Sequence, residues 1–241
     1  SGPAQRSGCV GHPLTEPGVF QVVEKPMDFI VVRDFGLKSY HSVLDDMQRF
    51  THMRTQGTAD QIWYVQHPAV YTRGVSCHDL PWGEGRDLEL VDSDRGGQIT
   101  YHGPGQLIAY LLLDLRRCGL GVRGLVARVE QVIVQLLANH ELSGDIRPGA
   151  PGVYIDGKKI AALGLRIRNG CTYHGLSLNV DMDLSPFGFI DPCGYQGLAV
   201  TQLKSHGISV PLSIIQDELT DLFVSSLGYG STVAGPSMKK D

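Results

Sequence analysis

Two dipeptides, Asp156-Gly157 and Asn169-Gly170, constrain this chain more than any other feature. Each separates short β-prone runs, and each supplies the positive backbone φ angles that tight hairpins need. Gly152–Ile155, the run from Lys158 to Ile167, and the run from Thr172 to Val180 therefore read as a three-stranded antiparallel meander. A chain committed to such a unit cannot be all-helical, and a purely parallel, doubly wound sheet is equally disfavoured.

The remaining elements fit around it. Asp28 to Val32 reads as a strand, and Ser39 caps a helix whose apolar face carries Val43, Leu44, Met47 and Phe50. Strands are expected at 61–65 and 70–72, interrupted by His67-Pro68, and at 87–91. The run from Leu107 to Leu115 is apolar almost throughout, as expected of a strand covered on both faces. From Val122 to about Asn139 the residues Leu125, Val129, Val132, Ile133, Leu136 and Leu137 recur at helical spacing. Ser213 with Gln216 forms a capping box, Ile215, Leu219, Leu222 and Phe223 a helical stripe, and Gly228 a stop. The pattern predicts an α+β fold with a mixed or antiparallel sheet and packed helices. Residues 1–26, polar and broken by Gly and Pro, read as a flexible arm, 27–229 as one domain, and 230–241 as a frayed tail.

Composition narrows function. With 21 Lys and Arg against 25 Asp and Glu, the net charge is −4, which disfavours bulk phosphate neutralisation of nucleic acid. The longest apolar run falls far short of the roughly 20 residues that span a bilayer. The five cysteines (Cys9, Cys77, Cys118, Cys171, Cys193) are odd in number, with no CxxC or zinc-finger spacing, so no metal site is expected and a reducing, cytoplasmic location is. Thirty glycines in 241 residues exceed the usual share of about 7% without any G-X-Y period, so they belong in turns and close approaches.

Four glycines fall within Asp94-Arg-Gly-Gly-Gln-Ile-Thr-Tyr-His-Gly-Pro-Gly-Gln106. The segment lacks the GK[ST] ending of a phosphate loop and does not open a helix as GxGxxG does, which argues against nucleotide binding. It reads either as a tight structural loop or as backbone laid against a ligand, with Arg95, Tyr101 and His102 around a pocket.

Two cysteines compete as nucleophile. In Ile190-Asp-Pro-Cys-Gly-Tyr195, Pro192 fixes the approach to Cys193 and Gly194 permits a turn that aims backbone N–H groups at a reacting carbonyl. Cys171 has His174 nearby, but three residues of extended strand put the two side chains on opposite faces. His174 instead shares a face with Leu176, Leu178 and Val180, as a buried or pocket-lining residue. A thiol with a pKa near 8.5 needs a base or cation beside it to react at neutral pH. By strand parity Lys159 points inward with Ala161, Leu163, Leu165 and Ile167, where a desolvated ammonium gives up its proton more readily. Ile160 on the other face is discordant, and a lysine snorkelling to solvent is the alternative.

Taken together, Arg95 to Gln106, Pro151-Gly-Val-Tyr154, Lys158-Lys-Ile160, Leu163-Gly-Leu-Arg-Ile167, His174-Gly-Leu176, Asn179 and Asp191-Pro-Cys-Gly194 resemble the lipoyl(octanoyl) transferases of lipoate biosynthesis, over about residues 29–227. The resemblance implies a fold like the catalytic domain of biotin and lipoate ligases. It also implies octanoyl transfer from acyl carrier protein, without ATP or any cofactor, to a cysteine and then to a lysine on a lipoyl domain, as in 2-oxo acid dehydrogenases or the glycine cleavage H protein. Cys193 would carry the acyl thioester and Lys159 would activate it. Substrate would be held by Arg95, Gly96, Gly97, Gln98, Ile99, Thr100, Tyr101 and His102, by Ala162, Leu163 and Gly164, and by Gly175, Leu176 and Ser177, with His174 and Gly194 in support.

Overall fold

The computed structural model describes residues 28–77, 88–190 and 199–236. In chain order these form β1 (Phe29–Leu37), α1 (Tyr40–Met53), β2 (Gln61–Gln66), β3 (Val70–Arg73), β4 (Leu90–Asp92), β5 (Ile99–His102), β6 (Gln106–Leu112), α2 (Leu115–Cys118), α3 (Val122–Asn139) and β7 (Asp145–Ile146). There follow β8 (Gly152–Ile155), β9 (Lys158–Arg168), β10 (Cys171–Asn179), α4 (Leu212–Leu227) and β11 (Ser231–Ala234), with 3-10 turns at Ser185–Phe189 and Leu203–His206.

The fold is α+β. The expected meander is β8-β9-β10, and Asp156, Gly157, Asn169 and Gly170 all have positive φ, the geometry of two-residue hairpins. It extends into an eight-stranded sheet of order β11-β1-β2-β6-β10-β9-β8-β7, in which β1 runs parallel to β2 and β11 and the other pairs are antiparallel. Strands β4-β3-β5 form a separate small sheet.

β6 divides the interior. All seven of its residues are buried, as a strand covered on both faces must be. Leu107, Ala109 and Leu111 face α3 and α4, whose stripes (Leu125, Val129, Ile133, Leu136; Ile215, Leu219, Phe223) complete the larger core. Ile108, Tyr110 and Leu112 face α1, which contributes Val43, Leu44 and Met47.

Three local expectations change. α1 is capped by Ser39, whose side chain accepts from the Ser42 N–H, but α4 begins at Leu212 with Pro211 as its N-cap, two residues before the expected cap Ser213 and with no side-chain cap. Ser213 therefore lies inside the first turn. Residues 231–234 of the expected frayed tail pair in parallel with Phe29–Val32 as an edge strand, because the left-handed Gly228 turns the chain back onto β1. The strand expected at 87–91 is Leu90–Asp92, residue 87 lying outside the described residues.

Candidate active site

One end of the site is built by an irregularity in β9. Tyr154 pairs with Lys159 while Val153 pairs with Ala161, so Ile160 is an extra residue and the alternation restarts there. Ile160 and Ala161 both enter the core under α3 and α4, and Lys159 turns to the opposite face, its ammonium 5.2 Å from the Tyr154 ring centroid. The simple parity that grouped Lys159 with Ala161, Leu163, Leu165 and Ile167 is thus overturned by the bulge, which also accounts for the discordant Ile160. Lys159 is 3% exposed, and its Nζ donates to the Pro151 carbonyl at 3.2 Å. Its backbone is bracketed by residues 199–201: Lys159 N–H donates to Ala199 O and Thr201 N–H to Lys159 O, both 2.9 Å.

From Lys159 a cavity runs along β9 and β10. It opens to solvent at its mouth, the space inside it and its mouth together amounting to about 750 Å³. Ala162 opposes Ser177 and Gly164 opposes Gly175 along its floor. A Cβ on Gly175 would lie 2.0 Å from the Ala109 carbonyl, and one on Gly164 2.9 Å from the Gly96 carbonyl, so both glycines are required by close backbone approach. The glycine-rich segment crosses β9 at this point, Gly96 N–H donating to Leu165 O at 3.0 Å.

A directed chain of buried hydrogen bonds supports one wall. The Arg95 guanidinium donates to Thr72 Oγ1, whose hydroxyl faces His102 Nε2 at 3.3 Å. His102 Nδ1 meets Gln106 Oε1 at 2.8 Å, Gln106 Nε2 donates to Asn179 Oδ1 at 2.9 Å, and Asn179 Nδ2 donates to Thr201 O at 2.9 Å. The amide oxygen can only accept, so Nδ1 carries the His102 proton and Nε2 accepts from Thr72. Complete burial pushes the His102 pKa well below its usual value and keeps the ring neutral.

His174 sits differently from expectation. Its φ is +58°, which swings the ring off the face of Leu176 and Leu178 and onto the face of Tyr110 and Tyr173. There its Nε2 donates to Asp94 Oδ1 at 2.8 Å, while Tyr173 and Gln48 donate to Asp94 Oδ2. Burial alone would raise the Asp94 pKa, but these donors outweigh it and hold the carboxyl down to about 2.

Arg95, Gly97, Gln98, Ile99, Thr100, His102, Ala162, Leu163, Gly164, Gly175, Leu176, Ser177, His174 and Lys159 therefore share one cavity. Gly96 latches the loop without lining it. Tyr101 packs away from it against Tyr71 and Phe187, while its neighbours Thr100 and His102 line the cavity. Cys193 and Gly194 lie outside the described residues. Their flanks are described: Ile190 packs with Tyr101 and Phe187, and Val200 bridges to Lys159 and lines the cavity. Cys171 is buried elsewhere, paired with Asp114 at the far end of β10, and burial pushes its thiol pKa up, away from thiolate formation. Sequence reasoning missed Thr72, Asp94 and Tyr110 as parts of the site. Gln106 and Asn179 offered a faint signal, being polar residues at the ends of apolar strands.

A cavity beside a buried lysine, on a mixed sheet backed by two helices, marks an α+β protein with one candidate active site among the described residues. The comparisons give its class. Residues 41–223 match the model of the lipoyl protein ligase A/B catalytic domain. The chain is 54% identical over 200 residues to the octanoyltransferase of Pseudomonas putida strain W619, covering 82% of this chain and 92% of that one. It is 49% identical over 208 residues to that of Nitrosococcus oceani, covering 86% and 93%. Among solved structures it superposes on lipoate-protein ligase A bound with ATP (TM-score 0.70, 13% identity, 89% and 90% coverage) and on biotin protein ligase from Aquifex aeolicus (TM-score 0.51, 12% identity, 83% and 70% coverage), a likeness of fold. The chain belongs to the lipoyl protein ligase A/B catalytic-domain family and groups within it with the octanoyltransferases, which makes it an acyltransferase.

Proposed function

We propose that this enzyme moves an octanoyl group from acyl carrier protein to Cys193, and from there to the ε-amine of a lysine on a lipoyl domain of the 2-oxo acid dehydrogenases or the glycine cleavage H protein. The observation that carries this reading is the buried Lys159 side chain at one end of a cavity floored by Gly164 and Gly175. The name shared by its relatives at about half identity supports the acyl group. The location would be the cytoplasm; among the described residues no helix is long and apolar enough to cross a membrane.

In the first half-reaction the Cys193 sulfur attacks the carrier thioester, Lys159 takes the thiol proton and returns it to the departing carrier thiol, and one thioester replaces another. In the second, the lysine amine attacks the Cys193 thioester, an amide forms, and the thiol is restored. Thioester exchange is nearly balanced and amide formation is downhill, so the cycle closes without ATP. Dividing the reaction lets each protein partner be bound in turn. Burial of the chain at about 0.8 kcal/mol per methylene would hold it in the cavity.

The test is intact-mass spectrometry after incubation with octanoyl-carrier protein and no ATP. One octanoyl adduct is expected on the wild-type chain and on Cys171→Ser, and none on Cys193→Ser. Strict dependence on ATP and free octanoate would overturn the reading, and an adduct surviving in Cys193→Ser would move the nucleophile.

A further inference from the structure

The floor of the cavity changes character along its length. Moving away from Lys159, the paired positions run Ala162 with Ser177, Leu163 with Leu176, Gly164 with Gly175, then Leu165 with His174. The glycine pair leaves the floor low, and the pair beyond it puts an imidazole across it. In a regular strand the residue 174 side chain would lie with Leu178 under α3 and α4, and its positive φ turns the ring toward Tyr110 and Tyr173 instead.

That placement carries two costs. A left-handed conformation is disfavoured for an L-residue, because Cβ crowds the neighbouring carbonyl oxygen. With Nε2–H committed to Asp94, Nδ1 is a buried acceptor that has no hydrogen-bond partner among the described residues, a further penalty. Strain of this kind persists where the surroundings over-determine it, and it gathers at functional sites. Here Asp94 is held by three donors, and it adjoins Arg95 and Gly96 of the loop that crosses β9 at Leu165.

We infer that His174, fixed by Asp94, is the stop that sets how long an acyl chain the cavity accepts. The inference rests on the acyl-transfer reading above and adds a specificity-determining residue to it. About five strand positions separate Lys159 from His174 once the bulge is discounted, roughly 17 Å of floor. An extended eight-carbon chain with bonds of about 1.5 Å covers roughly 9 Å of that. The Lys159 side chain takes up part of the remainder, so an octanoyl group whose carbonyl lay beside Lys159 would reach the glycine pair with its terminal methyl toward the ring. Each further methylene must press on an imidazole tethered at Nε2, whose remaining nitrogen offers a lone pair and nothing apolar.

The test compares hexanoyl, octanoyl, decanoyl and dodecanoyl carrier proteins as donors, in wild type, His174→Gly and His174→Asn. Both replacements tolerate positive φ, so neither adds backbone strain. For His174→Gly the kcat/KM ratio of dodecanoyl to octanoyl is expected to rise about tenfold or more, the scale at which apolar pockets discriminate methylenes. His174→Asn should shift the same ratio by less. Parallel losses for every chain length, leaving the ratios as in wild type, would assign His174 a structural role and overturn the inference. Should His174→Gly not fold, the His174→Asn ratio alone decides. A wild type that transfers no octanoyl group would refute the function itself, an outcome separate from a wild type that transfers it and a His174 series with unchanged ratios.

Discussion

Gly164 and Gly175 oppose each other on β9 and β10, and each is a glycine because backbone from a third segment occupies the place of its Cβ. For Gly175 the intruder is the Ala109 carbonyl on the neighbouring buried strand, which cannot move without breaking the β6–β10 ladder. For Gly164 it is the Gly96 carbonyl of the crossing loop.

Gly175→Ala should therefore destabilise the fold by at least the ~1–3 kcal/mol typical of overpacking. Gly164→Ala should cost less, because a loop shifts more easily than a central strand. Urea unfolding monitored by tryptophan fluorescence measures both. A Gly175→Ala chain within about 0.5 kcal/mol of wild type, the scale of neutral surface changes, would refute the close-approach argument.

Gln106 joins two halves of the buried polar wall, accepting from His102 and donating to Asn179. Gln106→Leu keeps the bulk but strands the His102 Nδ1–H and the Asn179 carbonyl oxygen. At about 1–3 kcal/mol for each unmet group, a loss of roughly 2–6 kcal/mol is expected. Unfolding curves that leave Gln106→Leu within about 0.5 kcal/mol of wild type would contradict the network.

The parts of this fold that were legible in the sequence are those fixed by local chemistry. Asp156-Gly157 and Asn169-Gly170 can do little but turn, and the stripe from Leu125 to Leu137 has one way to bury itself. What escaped was set by tertiary context. The bulge at Ile160 has no composition signal of its own, yet it moves Lys159 from one face to the other. The positive φ of His174 likewise carries no local mark, and it breaks the period-two reading of β10. Asp94 was invisible as a site residue because its partners are 46, 79 and 80 positions away. Residues 231–234 had too few apolar neighbours in sequence to announce a strand that only β1 makes possible.

Stability should fall in acid in two stages. Burial depresses the pKa values of His67, to about 4, and of His102 and His174. A folded-state pKa below the unfolded value of about 6.5 means that the unfolded chain binds protons first. Their contribution is thus complete above pH 6.5 and is lost as pH falls toward 4. Asp94, depressed to about 2, adds a second loss as pH drops below about 4. Unfolding free energies at pH 7, 6, 5 and 4 should show the first stage, with a slope of about 1.4 kcal/mol per pH unit for each histidine. His67→Gln, which can still donate to Lys38 O and accept from Tyr110, should flatten the slope by one proton. A slope unchanged by that substitution would mean that His67 is not held neutral.

Lys159 separates its chemical role from its structural one. Its ammonium is buried against the Pro151 carbonyl and the Tyr154 ring, and its backbone is fastened to residues 199–201. Lys159→Met retains the apolar stem and the backbone bonds, so the fold should survive with a modest change in melting temperature. A general base contributes typically 10²–10⁴-fold, and acylation of Cys193 should slow by that factor. Lys159→Arg is the sharper variant: the guanidinium keeps a positive charge near the site but cannot release a proton near neutral pH. If Lys159 serves as base, Lys159→Arg should be as slow as Lys159→Met. If it only holds a thiolate by its charge, Lys159→Arg should recover much of the rate. Single-turnover acylation by octanoyl-carrier protein, read by mass spectrometry, distinguishes the two, and a Lys159→Met enzyme within tenfold of wild type would remove Lys159 from the chemistry altogether.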